Sequence, residues 1–245
     1  MPKEEGEKTG VPRIQKEERI KTGVPGVDDL ISGGLKPASL TLVTGTTGTG
    51  KTIFCSQFIY EGAKSFNEPG VYVSFEEPPE NIKKDSLNFG WDFGELEKQK
   101  KVLFVRYDPF HVEDILDLIE SNIKKINAKR VVIDSVSSLG LYLRDAAEVR
   151  RNVFNMTLLL RKLGVTALLT SEILPQQKTL SRFGVEEFVT DGVVVLYYLR
   201  TDSQYSRSLT VWKMRGSEHS LKLHPYQITK KGIIVYPKEE AFVKM

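Results

Sequence analysis

The sequence predicts an α/β protein, with a mostly parallel central sheet flanked by helices and extended by antiparallel C-terminal strands. Three observations carry this expectation. Short apolar runs alternate with longer segments of helical period from Leu40 to Thr170, the pattern of units that build a parallel sheet. A glycine-rich loop, Gly45–Thr52, joins the first apolar run to the first long helix. After Gly184 the helical period stops and strand-like segments follow one another, as in an antiparallel extension.

Residues 1–18 are charged and interrupted by Gly6, Gly10 and Pro12. They carry too little apolar surface to offset the entropy of ordering, so a loose tail is expected there and one domain over residues 19–245. Leu40–Thr44 reads as a strand and Thr52–Phe66 as a helix; Val71–Phe75 is a strand, and Pro78–Phe89 a helix that its proline opens. A strand is expected at Val102–Arg106, an amphipathic helix at Val112–Ile126 and a buried strand at Val131–Asp134. Ala146–Leu163 reads as a helix stopped by Gly164, and Val165–Thr170 as another buried strand. The last strands are Gly192–Arg200, Ser206–Met214, Tyr226–Thr229 and Ile233–Tyr236.

The loop reads Gly45-Thr46-Thr47-Gly48-Thr49-Gly50-Lys51-Thr52, which matches G-x-x-x-x-G-K-[ST] between a strand and a helix. Glycines let the backbone wind so that successive N–H groups face phosphate oxygens. The positive end of the following helix adds to that field. Lys51 is expected to reach the β- and γ-phosphates, and the Thr52 hydroxyl to ligate Mg²⁺. With the following Ile53 these residues form the expected binding site for ATP or ADP.

Two strands end in acids. Val71–Phe75 runs into Glu76-Glu77, and Val131–Ile133 into Asp134-Ser135. Ligands of open α/β sheets bind beyond the carboxyl ends of the strands. Asp134, after an apolar run, is placed to hold Mg²⁺ directly or through water. A glutamate after the adjoining strand can accept a proton from attacking water. Glu76 and Glu77 point opposite ways on an extended chain, so they cannot serve equally. The same pair can also cap the Pro78 helix, whose N-terminus favours negative charge.

Gly23–Leu35, ahead of the loop, is similar to the corresponding stretch of RecA/RadA-type ATPases. Phe75-Glu76-Glu77, Ile133-Asp134-Ser135, Gly184–Asp191 and Lys213–His219 together resemble the KaiC family, circadian-clock ATPases with single-domain relatives in archaea and bacteria. The resemblance runs from about Arg19 to Pro237 and corresponds to one KaiC domain. It implies the RecA-like P-loop NTPase fold and a hexameric ring with ATP between subunits. It makes Glu76 the general base, with Glu77 in support. It also places Lys213, Met214, Arg215, Ser217 and His219 at the nucleotide of the neighbouring subunit. Lys213 and Arg215 then act on the γ-phosphate in the manner of an arginine finger. Read from the residues alone, Lys-x-Arg on a strand puts two cations on one face, which serves phosphate stabilisation or a solvated basic edge equally well.

The chain departs from the family pattern at three places. Ala38 replaces a common glycine, and Lys230 replaces an aspartate near the clock protein's nucleotide. Glu187-Phe188 stands where phosphorylating domains carry a Ser-Thr pair, so self-phosphorylation there is not expected.

A net charge of +3 is too mild for a dedicated nucleic-acid or membrane-surface protein. The single cysteine, Cys55, rules out an intramolecular disulfide, and no long apolar run spans a bilayer; a cytoplasmic protein without a membrane partner is expected. His111 and His224 are isolated from any ligand cluster, and Trp91 reads as core. The leading functional reading is a slow ATPase whose ring signals to a protein partner. A single-stranded DNA-binding ATPase is the less favoured alternative, since Leu174–Gly184 offers few cations and no aromatic platform. The remaining class is a non-hydrolysing ATP-bound scaffold.

Overall fold

The computed structural model describes residues 18–107, 114–140, 142–174, 177–201 and 204–241. The expected tail and His111 lie outside them, apart from Glu18. Among these residues nine strands form one sheet: β1 (Leu40–Gly45), β2 (Gly70–Ser74), β3 (Val102–Arg106), β4 (Arg130–Asp134), β5 (Thr166–Glu172), β6 (Gly192–Thr201), β7 (Gln204–Met214), β8 (His224–Thr229) and β9 (Gly232–Val235). Their spatial order is β3-β2-β4-β5-β1-β6-β7-β8-β9. The first six strands pair in parallel, and β7, β8 and β9 continue the sheet antiparallel, as the sequence predicts.

Successive side chains of a strand point to opposite faces, and the parallel strands use both. Leu40 and Leu42 of β1, Val71 and Val73 of β2, and Val131 and Ile133 of β4 feed one core; Val43, Tyr72 and Val132 feed the other. The first core is covered by α5 (Ile115–Ile126) and α7 (Ala146–Lys162). In α5, Ile115, Ile119 and Ile123 recur every fourth residue and are all buried, one stripe of a 3.6-residue helix. Asn127 ends it at φ 50°, a left-handed cap that asparagine tolerates. The second core is covered by α2 (Lys51–Ser65), through Phe54, Cys55, Phe58 and Ile59, together with Trp91 and Phe93.

Four short helices go beyond the sequence reading: α1 (Val27–Leu30), α4 (Phe93–Lys98), α6 (Val136–Leu139) and α8 (Glu186–Val189). Each is four to six residues long, less than two turns, so hydrophobic periodicity is too short to register. The cap of α4 is explicit, since Asp92 accepts from the Glu95 N–H at 3.0 Å. The expected helix at Pro78–Phe89 divides into α3 (Pro79–Ser86) and a 3₁₀ turn, Leu87–Phe89. His224 is a satisfied core histidine: Nδ1 donates to the Glu239 carbonyl at 2.8 Å, and Nε2 lies 2.7 Å from the Ser220 hydroxyl.

Candidate functional site

The loop after β1 turns into α2 through Gly48 at φ 83° and Gly50 at φ 89°, conformations that L side chains rarely adopt. A Cβ on Gly45 would stand 2.3 Å from the Leu196 carbonyl oxygen of β6, whereas one on Gly48 would meet nothing within 4 Å. Gly45 is therefore required by the neighbouring strand. Gly48 is required by its dihedral and has open space where a side chain would stand.

Lys51 folds back over the loop and donates to the carbonyls of Gly45 and Thr46 at 3.0 and 3.1 Å. Burial pulls its ammonium below the ordinary lysine range, against the opposing pull of Glu172 and Asp134. The Thr52 hydroxyl donates to Asp134 Oδ2 at 3.2 Å. Two more hydroxyls reach the same carboxylate: Tyr72 at 2.6 Å to Oδ2 and Thr170 at 2.5 Å to Oδ1. Burial, reinforced by the Asp134 charge, pushes the Tyr72 phenol well up, so it remains a donor.

Glu76 and Glu77 follow β2, whose last residue, Ser74, is registered with Asp134. They separate as alternation requires. Glu76 is exposed and accepts from the Ser138 hydroxyl of α6, which also lies 3.1 Å from the Ser135 hydroxyl. Glu77 is half-buried and lines a cleft of 390 Å³ with Thr52, Ile53, Ser56, Asp85, Asn88 and Phe89. Burial first, then the charges of Asp134 and Asp85, raises its carboxyl above the ordinary glutamate range.

These residues fit a magnesium nucleotide. One carboxylate, one threonine hydroxyl and an amide-lined loop suit a hard cation that takes much of its shell from phosphate and water. Among the described residues no group of three or more His, Cys, Asp or Glu stands ready to cage a metal.

Lys213, Met214, Arg215, Ser217 and His219 lie elsewhere. Met214 pairs with Gly192, and Gly192 with Thr41 at the start of β1. The phosphate loop leaves from the other end of β1, about 13 Å away at ~3.3 Å per residue. Lys213 donates to the carbonyls of Glu187 and Thr190 at 2.8 and 2.6 Å, and Arg215 to that of Phe188 at 2.8 Å. The two cations thus turn to one side of β7, towards α8, while Met214 between them is buried. Ser217 accepts from Arg19 at 2.6 Å, and the His219 ring lies 3.1 Å from the Ser220 carbonyl.

The structure adds residues that sequence reasoning missed. Tyr72 and Thr170 hold Asp134, and Ser138 holds Glu76. Glu172 ends β5 beside Gly45. Arg207 and Tyr226 touch the phosphate loop from β7 and β8, at the carbonyls of Gly48 and Thr49. For Thr170 the signal was a polar residue closing the apolar run of β5; nothing local marks Tyr72, Ser138, Arg207 or Tyr226.

The family described as "ATPase: KaiC" matches residues 20–240. A UPF0273 protein of Methanocaldococcus jannaschii is 40% identical over 230 residues, covering 87% of this chain and 94% of its own length. The circadian clock oscillator protein KaiC of Thermostichus vulcanus is 39% identical over 222 residues, covering 86% of this chain. This chain spans only 43% of that clock protein. The crystal structure of a KaiC-like protein from Pyrococcus horikoshii superposes with a TM-score of 0.83 at 41% identity, over 91% of this chain and all of the other. No helix among the described residues is long and apolar enough to cross a membrane. On the family match over residues 20–240 and these relatives, the chain belongs to the KaiC-like family of ATP-binding P-loop ATPases.

Proposed function

We propose that the protein hydrolyses ATP slowly, as a ring of six copies, and that the nucleotide state of its subunit interfaces is read by a protein partner in the cytoplasm. The observation that carries this reading is the division of the expected site between two ends of the sheet. Gly45–Thr52, Asp134, Glu76 and Glu77 share the carboxyl edge, whereas Lys213 and Arg215 sit about a strand length away. Cations placed there serve a phosphate only if it belongs to another copy of the chain, which is what a closed ring supplies.

In this reading the amides of Gly48–Lys51 and the Lys51 ammonium bind the phosphates. Lys51 gives up its contacts with the Gly45 and Thr46 carbonyls to do so. Thr52 and Asp134 would hold Mg²⁺, which when bound would supply positive charge to neutralise the phosphates. Tyr72 and Thr170 orient the Asp134 carboxylate, and Ser138 orients Glu76 to take a proton from water. Glu77 supports Glu76 from the cleft wall. The nucleobase occupies the adjoining cleft, with Ile53 and Phe89 as apolar walls and Asn88 and Asp85 offering polar groups. The Arg215 guanidinium, aided by Lys213, reaches the γ-phosphate of the next subunit, with Met214, Ser217 and His219 beside it.

Mass in solution measured with ATP and with ADP, alongside phosphate release, tests the reading. A species of about six subunits with slow turnover that is lost in Arg215→Ala supports it. A monomer that hydrolyses ATP with Arg215 removed would sink the ring and the shared site together.

A further inference from the structure

We propose that Arg207 and Tyr226 are positioning residues that hold the phosphate loop in its binding conformation before any nucleotide arrives. The inference rests on reading Gly45–Thr52 as the phosphate loop. A loop whose N–H groups converge on an anion must turn its carbonyls outward, and outward carbonyls need partners of their own. Local chemistry supplies some of them. Thr46 O accepts from the Thr49 hydroxyl at 2.8 Å, Gly50 O from the Phe54 N–H at 2.9 Å, and Gly45 O from the Ile173 N–H at 3.2 Å.

The carbonyls of Gly48 and Thr49 are taken by residues nearly 160 and 180 positions away in sequence. Arg207 Nε donates to Gly48 O at 3.2 Å (|i−j| = 159), and the Tyr226 hydroxyl to Thr49 O at 2.6 Å (|i−j| = 177). Both come from the antiparallel extension of the sheet. β7 brings Arg207 opposite Tyr198, two residues past the Leu196 that pairs with Gly45. Tyr226 is buried, which pushes its phenol far above the ordinary range, so it donates at any physiological pH. Arg207 is aimed by aromatic stacking: its guanidinium lies 4.9 Å from the centroid of Tyr198, which stacks on Tyr205 at 5.0 Å. The planar group is therefore presented with Nε towards the loop. The extension of the sheet does more than lengthen it: two of its strands pre-set the amides, so that binding does not have to order them.

The test uses Tyr226→Phe, Arg207→Gln and Arg207→Lys in the full chain, with affinity for a fluorescent ADP analogue, KM and kcat for ATP, and circular dichroism of each variant. Tyr226→Phe and Arg207→Gln each weaken ADP binding and raise KM about tenfold, the loss of one well-placed hydrogen bond. Their kcat at saturation stays within about twofold of wild type, because the bound nucleotide re-forms the loop. Arg207→Lys keeps the charge but not the fixed planar donor, so it binds as weakly as Arg207→Gln. Wild-type affinity in Arg207→Lys would overturn the positioning role in favour of simple charge. Wild-type affinity in both Tyr226→Phe and Arg207→Gln, or a fall in kcat with KM unmoved, would overturn the inference outright. Should Tyr226→Phe fail to fold, Arg207, on a partly exposed strand position, carries the test alone. Failure of the wild-type chain to bind ADP would overturn the phosphate-loop reading itself, a result that no variant is needed to recognise.

Discussion

The phenol of Tyr72 donates to Oδ2 of Asp134 at 2.6 Å, from a side chain with no solvent exposure on the strand next to that of the aspartate. The same oxygen receives the Thr52 hydroxyl. One carboxylate oxygen is thus shared between a donor fixed by the core and a donor at the head of α2.

Tyr72→Phe removes the fixed donor and leaves the ring stacked on Phe104, whose centroid is 5.1 Å away. The expected loss of stability is about 1.5–3 kcal/mol, the range for a hydrogen bond to a charged group. Denaturant unfolding at pH 7 checks it. A variant as stable as wild type would show that Thr52 and Thr170 suffice to satisfy the carboxylate.

Glu76→Gln keeps the hydrogen-bonding shape at the Ser138 hydroxyl but cannot accept a proton. Turnover is expected to fall by about 10²–10⁴, the usual worth of a general base, with ATP affinity unchanged. Single-turnover hydrolysis and equilibrium binding separate the two effects. Persistent turnover would pass the role of base to Glu77 or Glu172.

Mixing two inactive variants tests whether Arg215 acts across an interface. In Arg215→Ala every chain keeps its own Glu76, and in Glu76→Gln every chain keeps its own Arg215. An equimolar mixture exchanging subunits should restore activity at about a quarter of the interfaces of a cyclic ring. No recovery after proven exchange would place Arg215 and Glu76 outside a shared site.

Glu77→Gln gives a stability change whose sign is set by the raised carboxyl. A glutamate whose folded pKa lies above its unfolded value costs stability where it is ionised, at neutral pH. That cost disappears as pH falls through the folded pKa and the unfolded one. The variant should be more stable than wild type at pH 7, by no more than about 0.5 kcal/mol given solvent screening of this half-buried group. The difference should vanish in acid below the ordinary glutamate range. Thermal unfolding across pH would refute the argument if the gap widened instead.

Arg130 offers a control remote from the loop. Its side chain is fully buried at the start of β4; Nε donates to Glu68 at 2.6 Å and Nη1 to the Phe58 carbonyl at 2.8 Å. Nη2 lies 2.6 Å from the same Glu68 oxygen. Burial draws the guanidinium pKa down against the pull of Glu68. Glu68→Ala leaves that cation without its partner and should cost about 3–5 kcal/mol. The double variant Arg130→Met, Glu68→Leu should recover most of the loss, since an apolar pair replaces both charges. Urea unfolding of the single and double variants measures the difference.

Consecutive residues were enough to determine the parallel sheet, its antiparallel extension, the phosphate loop and the two strand-end acids. Each is encoded by local rules: a short unbroken apolar run in Val131–Ile133, period 3.6 in Ile115–Ile126, and glycines at left-handed dihedrals in Gly48 and Gly50. Only tertiary structure decided which residues act on these groups. Tyr72, Thr170 and Ser138 meet Asp134 and Glu76 across 36 to 62 residues of chain, and Arg207 and Tyr226 reach the loop across 159 and 177. Such contacts depend on strand order and register, which no window of neighbouring residues contains. Register also set Arg215 beside the amino-terminal end of β1 and Arg207 beside its carboxyl end. Eight positions of extended chain carry Arg207 and Arg215 to opposite ends of β7, and because β7 runs antiparallel to β6, Arg207 comes to the end that holds its own phosphate loop and Arg215 to the other.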